Sequence, residues 1–252
     1  MNRWENKVAV VTGASSGIGA SCVRALLKAG LITVGLARRQ NRMNELKSSL
    51  PNNLQSRLHT LVCDVSKEND VNETFNWIEK NLGGTDILIN NAGILKSGEL
   101  VGTDNTKEIV DTVNTNILGV YYCTKKAFNS MKERKSDGHV VLLNSTAGHT
   151  AYFGDDPSYN IYCGTKHAIT AMTETYRQEF QRNGTNVKVT SISPGNVNTE
   201  IYADSASLGD AMGVHPALEP EDISDAIIYA IGTPKHVQIH EIIIKPMGEK
   251  YF

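Results

Sequence analysis

The sequence predicts an α/β fold built on a parallel β-sheet with helices on both faces. Three observations lead there. Short β-branched runs alternate with stretches of helical periodicity along the whole chain, which is the pattern of strands joined by crossover helices. No internal repeat, low-complexity tract or linker interrupts that alternation. The chain has 252 residues, 40% of them apolar, enough to bury a large core. One domain over residues 1–252 is therefore expected.

Residues 7–11 form the first predicted strand. Ile18, Cys22, Val23, Leu26 and Leu27 then recur at helical spacing, and Gly30 is placed to end that helix. Residues 31–36 and 58–63 read as strands. Val71, Phe75, Ile78 and Leu82 follow at helical spacing before a strand at 86–89. A long helix is predicted from about 106 to 131, then a strand at 139–143, a helix from about 157 to 181 and a strand at 187–192. Pro220 and Gly232 bracket a helix carrying Ile223, Ile227, Ile228 and Ile231, and 237–244 is the last strand.

Composition narrows the function. A formal net charge of −2 gives no electrostatic reason for a nucleic acid or an anionic membrane as partner. No apolar run approaches the ~20 residues of a membrane span, and the first seven residues lack the apolar block of a signal peptide, so a cytoplasmic protein is expected. Cys22, Cys63, Cys123 and Cys163 are dispersed without a Cys-x-x-Cys pair, which suits reduced, packed thiols. The seven histidines show no ligand spacing, and no metal is expected.

The first strand runs into Thr12-Gly13-Ala14-Ser15-Ser16-Gly17-Ile18-Gly19. Glycines between a strand and a helix let the backbone approach a pyrophosphate, whose charge suits the unpaired N–H groups of a helix N-terminus; they also serve a plain tight turn. The second strand ends in Arg38-Arg39, and no acidic residue appears until Glu45. An acid here would bind ribose hydroxyls; two guanidiniums instead suit a 2′-phosphate, so NADP is favoured over NAD, with Ser15 as a further phosphate contact. Asp64, after the third strand, is either an acceptor for the adenine amino group or a turn residue. Asn91, in Asn90-Asn91-Ala92-Gly93, is placed to brace the turn backbone or to line the cleft.

Asn116 lies inside a predicted helix that asparagine disfavours, which requires either a surface position or a buried polar purpose, such as a side chain and freed carbonyl holding a water. Tyr162 and Lys166 are four residues apart and share one helix face. A tyrosine hydroxyl ordinarily titrates near ~10, and a neighbouring ammonium is one way to bring it into use near neutrality. An ordinary amphipathic helix would carry the same pair.

Taken together in order, Thr12-Gly13-x-x-x-Gly17-x-Gly19, Asp64, Asn90-Asn91-Ala92-Gly93, Asn116, Ser145, Tyr162-x-x-x-Lys166 and Pro194-Gly195-x-Val197-x-Thr199 resemble the short-chain dehydrogenase/reductase family over essentially the whole chain. The resemblance implies a Rossmann-type doubly wound sheet of about seven strands, a nicotinamide cofactor, and a homodimer or homotetramer. It implies that Tyr162 is the acid/base, that Lys166 binds the nicotinamide ribose and lowers the tyrosine pKa, that Ser145 orients the substrate oxygen, and that Asn116 supports a proton-relay water. The cofactor would be held by Gly13, Ser15, Ser16, Gly17, Ile18, Gly19, Arg38, Arg39, Asp64, Val65, Asn91, Tyr162, Lys166, Pro194, Gly195, Val197 and Thr199.

One departure is the longer spacing from Ser145 to Tyr162, with residues 154–158 as the extra piece and Pro157 as a helix start. Residues 144–149, 173–180 and 237–246 are similar to the insect farnesol dehydrogenase group of the family and its vertebrate dehydrogenase/reductase relatives. This implies oxidation of an isoprenoid alcohol such as farnesol. Tyr152, Phe153, Ile201, Tyr202, Met212 and Val214 suit the wall of an apolar pocket and equally suit plain packing. The alternatives are reduction of steroids or dicarbonyls and, in a different class, a non-catalytic NADP-binding sensor or scaffold.

Overall fold

A computed structural model describes residues 1–151, 159–202 and 215–249. Its centre is a seven-stranded sheet, all parallel, in the order β3-β2-β1-β4-β5-β6-β7. The strands are β1 (Val8–Thr12), β2 (Ile32–Ala37), β3 (Leu58–Val62), β4 (Ile87–Asn90), β5 (His139–Leu143), β6 (Lys188–Pro194) and β7 (Glu241–Ile244). The helices are α1 (Gly17–Lys28), α2 (Gln40–Ser48), the single turn α3 (Asn52–Gln55), α4 (Glu68–Leu82), α5 (Thr106–Val113), α6 (Gly119–Glu133), α7 (Tyr162–Arg182) and α8 (Pro220–Gly232).

Strand order reverses between β1 and β4, so the loops after those strands part there and leave a crevice at the carboxyl edge. Every β1 side chain is buried because the sheet is covered on both faces. Ala9 and Val11 point with Ile87, Ile89 and Val141 toward α1 and α8, where Val23, Leu26, Leu27, Ile223, Ile227 and Ile231 close the layer. Val8 and Val10 point with Leu88, Val140 and Val189 toward α4, α6 and α7, against Phe75, Ile78, Cys123, Met131 and Ile169. Each such leucine or isoleucine contributes roughly 1.5–3 kcal/mol by leaving water. The period-two strands and period-3.6 helices thus select the same two layers.

All seven expected strands form, and three differences have physical causes. The long helix expected over 106–131 is α5 and α6 joined by a π-helical turn, Asn114–Leu118, in which the Gly119 N–H bonds back to Asn114 O. The helix expected from 157 begins instead at Tyr162: Asn160 is left-handed at φ 49°, which α-helical geometry excludes, and Tyr159 bridges to Gly98. The strand expected over 237–244 is shortened to β7, because Val237 N–H turns back to Pro234 O while its carbonyl accepts from Thr233 Oγ1 and Lys188 Nζ. Helices α2 and α3 escape the periodicity reading; only Met43 and Leu46 of α2 are buried, too few to register. Residues 154–158, the expected helix start at Pro157, and Tyr152, Phe153, Met212 and Val214 lie outside the described residues.

Cys22, Cys63 and Cys123 are buried free thiols, and burial pushes the Cys22 thiol up to about 12. Among the described residues no helix is long and apolar enough to cross a membrane, and no group of three or more His, Cys, Asp or Glu is arranged to hold a metal ion.

Candidate active site

The crevice at the β1/β4 switch point opens into a cleft of about 340 Å³. Gly13, Ser15, Ser16, Gly17, Ile18, Arg38, Arg39, Asp64, Val65, Asn91, Ser145, Tyr162, Lys166, Pro194, Gly195, Val197 and Thr199 all line it. Gly19 and Asn116 do not; both stand one layer behind the wall. A Cβ on Gly19 would lie 2.3 Å from Gly13 O and 2.5 Å from Asn91 Nδ2, so a bare α-carbon is what lets α1 seat under the loop. Gly13, left-handed at φ 66°, also leaves no room for a side chain: a Cβ there would lie 2.8 Å from Ala92 Cα.

The glycine loop is braced from β4. Asn91 Nδ2 donates to Thr12 O (2.9 Å) and Gly13 O (3.2 Å), while Thr12 Oγ1 accepts from the N–H groups of Asn91 and Ala92 at 3.0 Å. Asn91 therefore does both things left open for it, bracing the turn and lining the cleft. Asp64 divides likewise: Oδ1 accepts from Ser66 N–H (3.1 Å) and Ser66 Oγ (2.7 Å), while the residue lines the cleft.

One end of the cleft is cationic. Arg39 donates from Nε to Ser15 Oγ (3.3 Å) and from NH2 to Ser15 Oγ (3.0 Å) and Ser16 Oγ (2.9 Å), so the guanidinium is fixed over the glycine loop. Its NH1 faces Glu200 Oε2 at 3.3 Å, and Arg42 NH1 meets the same carboxylate at 2.6 and 2.5 Å. The Arg42 hydrogen bond holds the Glu200 carboxyl below the usual carboxylate range. Arg38 lines the same end.

The other end is buried. Tyr162 opens α7, its hydroxyl hydrogen-bonded to Ser145, with Leu95, Ala147 and Tyr159 packed around it and Ile201 and Tyr202 against that cluster. Ser145 lies two residues beyond β5, and its Oγ accepts from Ala147 N–H at 3.1 Å, which fixes the hydroxyl at the head of a 3₁₀ turn. Lys166, one helical turn on, donates from Nζ to Leu143 O at 2.7 Å and lies 5.5 Å from the Tyr162 ring centroid. Burial pulls the lysine down to about 8. Burial also pushes Tyr162 well above the ordinary phenol value, with the Ser145 hydrogen bond opposing it. Among the protein's own groups desolvation therefore dominates Tyr162, and the expected lowering by Lys166 is not among the influences on it. The Tyr159 ring lies tilted against that of Tyr162, centroids 6.2 Å apart.

Asn116 is 2% exposed on the π turn, so its polar side chain serves the interior. Oδ1 accepts from Ile94 N–H and Nδ2 donates to Ile94 O, both at 2.9 Å, and Nδ2 reaches Thr165 Oγ1 at 3.2 Å. It pins the segment after β4 to α7, three residues from Tyr162.

Sequence reasoning misses four residues. Arg42 sits one turn beyond Arg38 on α2, a signal that needs α2 to be recognised. Thr165 links Asn116 to the Tyr162 carbonyl, to which its Oγ1 donates at 2.7 Å. Glu200 and Glu249 leave no local signal. Glu249 Oε1 accepts from Asn196 N–H at 3.0 Å and its carboxylate packs on Gly195, bracing the loop after β6 from the far end of the chain.

A model of the short chain dehydrogenase family matches residues 7–207. Farnesol dehydrogenase of Aedes aegypti is 52% identical over 251 residues, spanning 100% of this chain and 100% of its own. Dehydrogenase/reductase SDR family member 11 of Mus musculus is 38% identical over 253 residues, 98% of this chain and 96% of its own. Among solved structures, the closed form of a serine dehydrogenase complexed with NADP+ superposes with a TM-score of 0.86 at 29% identity, covering 97% of this chain and 96% of that one. ElxO with NADP bound gives 0.80 at 28% identity, covering 95% and 97%.

Proposed function

The chain belongs to the short-chain dehydrogenase family, and from that premise we propose that it is an NADP-dependent oxidoreductase interconverting an alcohol and a carbonyl, oxidising an isoprenoid alcohol such as farnesol to its aldehyde. The observation that carries the reading is the joining, in one cleft, of an arginine end held over the glycine loop and a buried Tyr162–Ser145 pair. The substrate class is supported by the full-length likeness to the mosquito farnesol dehydrogenase and by Ile201 and Tyr202 beside Tyr162. The cofactor is supported by the donor set: Arg39, Arg38 and the Ser15 and Ser16 hydroxyls suit a 2′-phosphate, and the Glu200 carboxylate already occupies the guanidiniums as an anion would.

NADP, when bound, supplies the hydride acceptor. The protein's task is the proton. Tyr162 takes it from the substrate hydroxyl, Ser145 Oγ holds the reacting oxygen, Lys166 holds the nicotinamide ribose, and Asn116 keeps the π turn in place so that its main-chain carbonyl supports a relay water. Burial favours the protonated phenol, so the base form needed for oxidation depends on the positive charge of Lys166 and of the oxidised cofactor. Bringing the hydroxyl to neutrality from even its ordinary value takes roughly 4 kcal/mol.

That same protonation favours a second reading, carbonyl reduction, for which a neutral Tyr162 is the acid required. A turnover panel of farnesol, steroids and dicarbonyls with NADP(H) and NAD(H), read at the reduced-nicotinamide absorbance, tests both. Farnesol oxidation with NADP supports the first; turnover confined to steroid or dicarbonyl reduction replaces it with the second, and none with any pair leaves a non-catalytic NADP-binding role. A cytoplasmic homodimer or homotetramer belongs to the proposal, and its mass in solution is the check.

A further inference from the structure

We propose that Glu200 is an internal competitor for the cofactor's 2′-phosphate, and that Arg42 is a third phosphate-binding cation that Glu200 keeps neutralised. The inference rests on the NADP reading and extends it to two residues that no sequence motif marks.

Two guanidiniums from different elements, Arg39 after β2 and Arg42 on α2, converge on one oxygen, Glu200 Oε2, at 3.3 and 2.5 Å. Arg39 is held from its other side by Ser15 and Ser16, so the point of convergence is set by the glycine loop and not by the carboxylate alone. An oxygen anchored between two guanidiniums, one of them fixed from its other side by two hydroxyls, is in an environment a phosphate oxygen would take. The arginine N–H groups that a phosphate needs are those now given to Glu200. Both anions cannot keep them, since like charges at contact distance repel and each N–H bonds well to one acceptor at a time.

Glu200 is the anion able to yield. Its side chain is 49% exposed and those of Arg39 and Arg42 are 46% and 37% exposed, so solvent compensates the carboxylate when it leaves. A dianionic phosphate, bound by the same donors, outcompetes a single carboxylate. In its absence Glu200 stops the two arginines from repelling one another and splaying, at the cost of phosphate affinity. Arg42 is necessary to this arrangement because it makes the shorter contacts and dominates the lowering of the Glu200 carboxyl.

The test is calorimetric binding of 2′,5′-ADP and 5′-AMP to the full chain, its Glu200→Gln variant and its Arg42→Gln variant. Glutamine preserves the shape of residue 200 and removes its charge. Expected are binding of 2′,5′-ADP to Glu200→Gln about ten-fold tighter, binding to Arg42→Gln about ten-fold weaker, and 5′-AMP affinity within about two-fold throughout, as charge-assisted hydrogen bonds are gained or lost. If the unaltered chain prefers 2′,5′-ADP but Glu200→Gln leaves that affinity unchanged or weakens it, Glu200 does not compete and the inference falls alone. Tighter binding by Arg42→Gln makes Arg42 a mere tether for Glu200 and removes it from the phosphate site. No preference for 2′,5′-ADP in the unaltered chain overturns the NADP reading itself.

Discussion

The two ends of the cleft handle charge in opposite ways. At the arginine end, the side chains of Arg39, Arg42 and Glu200 are 37–49% exposed, and their charges compensate one another under solvent. At the tyrosine end, Tyr162 and Lys166 are 7% exposed, and burial moves both toward their neutral forms. Exposed charge selects a ligand cheaply and reversibly; buried charge is expensive and is kept where chemistry needs a group poised between protonation states. The first end should therefore respond to salt and cofactor, the second to pH and to loss of single atoms.

The largest effect is expected from Tyr162→Phe, which removes one oxygen from the buried end. Turnover should drop by roughly 10³-fold while 2′,5′-ADP binding stays unchanged. Full activity in this variant would falsify the assignment of Tyr162.

Next comes Lys166→Met. The folded lysine titrates at about 8 against an ordinary value of 10.5, so between those values the unfolded chain binds the extra proton and stability rises with pH. Below pH 8 the burial cost is present in full. The variant should lose activity yet unfold at a higher denaturant concentration at pH 7, by at most about 3 kcal/mol, less ~1 kcal/mol for the Leu143 hydrogen bond. This advantage should shrink from pH 8 to 10.5. A variant less stable than the parent at both pH 7 and pH 10 would mean that the ammonium is well solvated, and the contrast between the ends would be lost.

At the exposed end, Arg39→Gln should raise the KM for NADP about 10- to 100-fold and leave that for NAD within a few-fold. An equal rise for both cofactors would show that Arg39 braces the loop without reading the phosphate. The smallest effect is that of salt: raising ionic strength from about 0.05 to 0.5 M should weaken NADP binding several-fold more than NAD binding. Equal slopes would place the phosphate away from these arginines.

Much of the site is legible in the sequence. Tyr162 and Lys166 stand out by residue type and spacing and Ser145 through the family resemblance, and all three line one cleft. The glycine loop is legible because only glycine tolerates the approach of Gly13 to Ala92 and of Gly19 to Gly13 O. Asn116 stands out as a residue that a helix disfavours, but its partner Ile94 is not visible in the linear order, nor is the π turn that carries it. The expectation that Lys166 lowers the tyrosine pKa leaves out burial, which no linear pattern encodes.

Sequence alone determined the elements, their alternation and therefore the parallel sheet, because hydrophobic periodicity is local and each strand and helix writes its own period. It also placed Tyr162 and Lys166, the two principal groups of the tyrosine end, within one helical turn of each other. Tertiary structure alone decided that Arg39 and Arg42 meet Glu200 across about 160 positions of chain, and that Glu249 braces Asn196 from about 50 positions away. Such contacts depend on which loops the strand order brings to the carboxyl edge. Strand order is settled by the packing of whole layers, a sum over many residues in which no single motif is read.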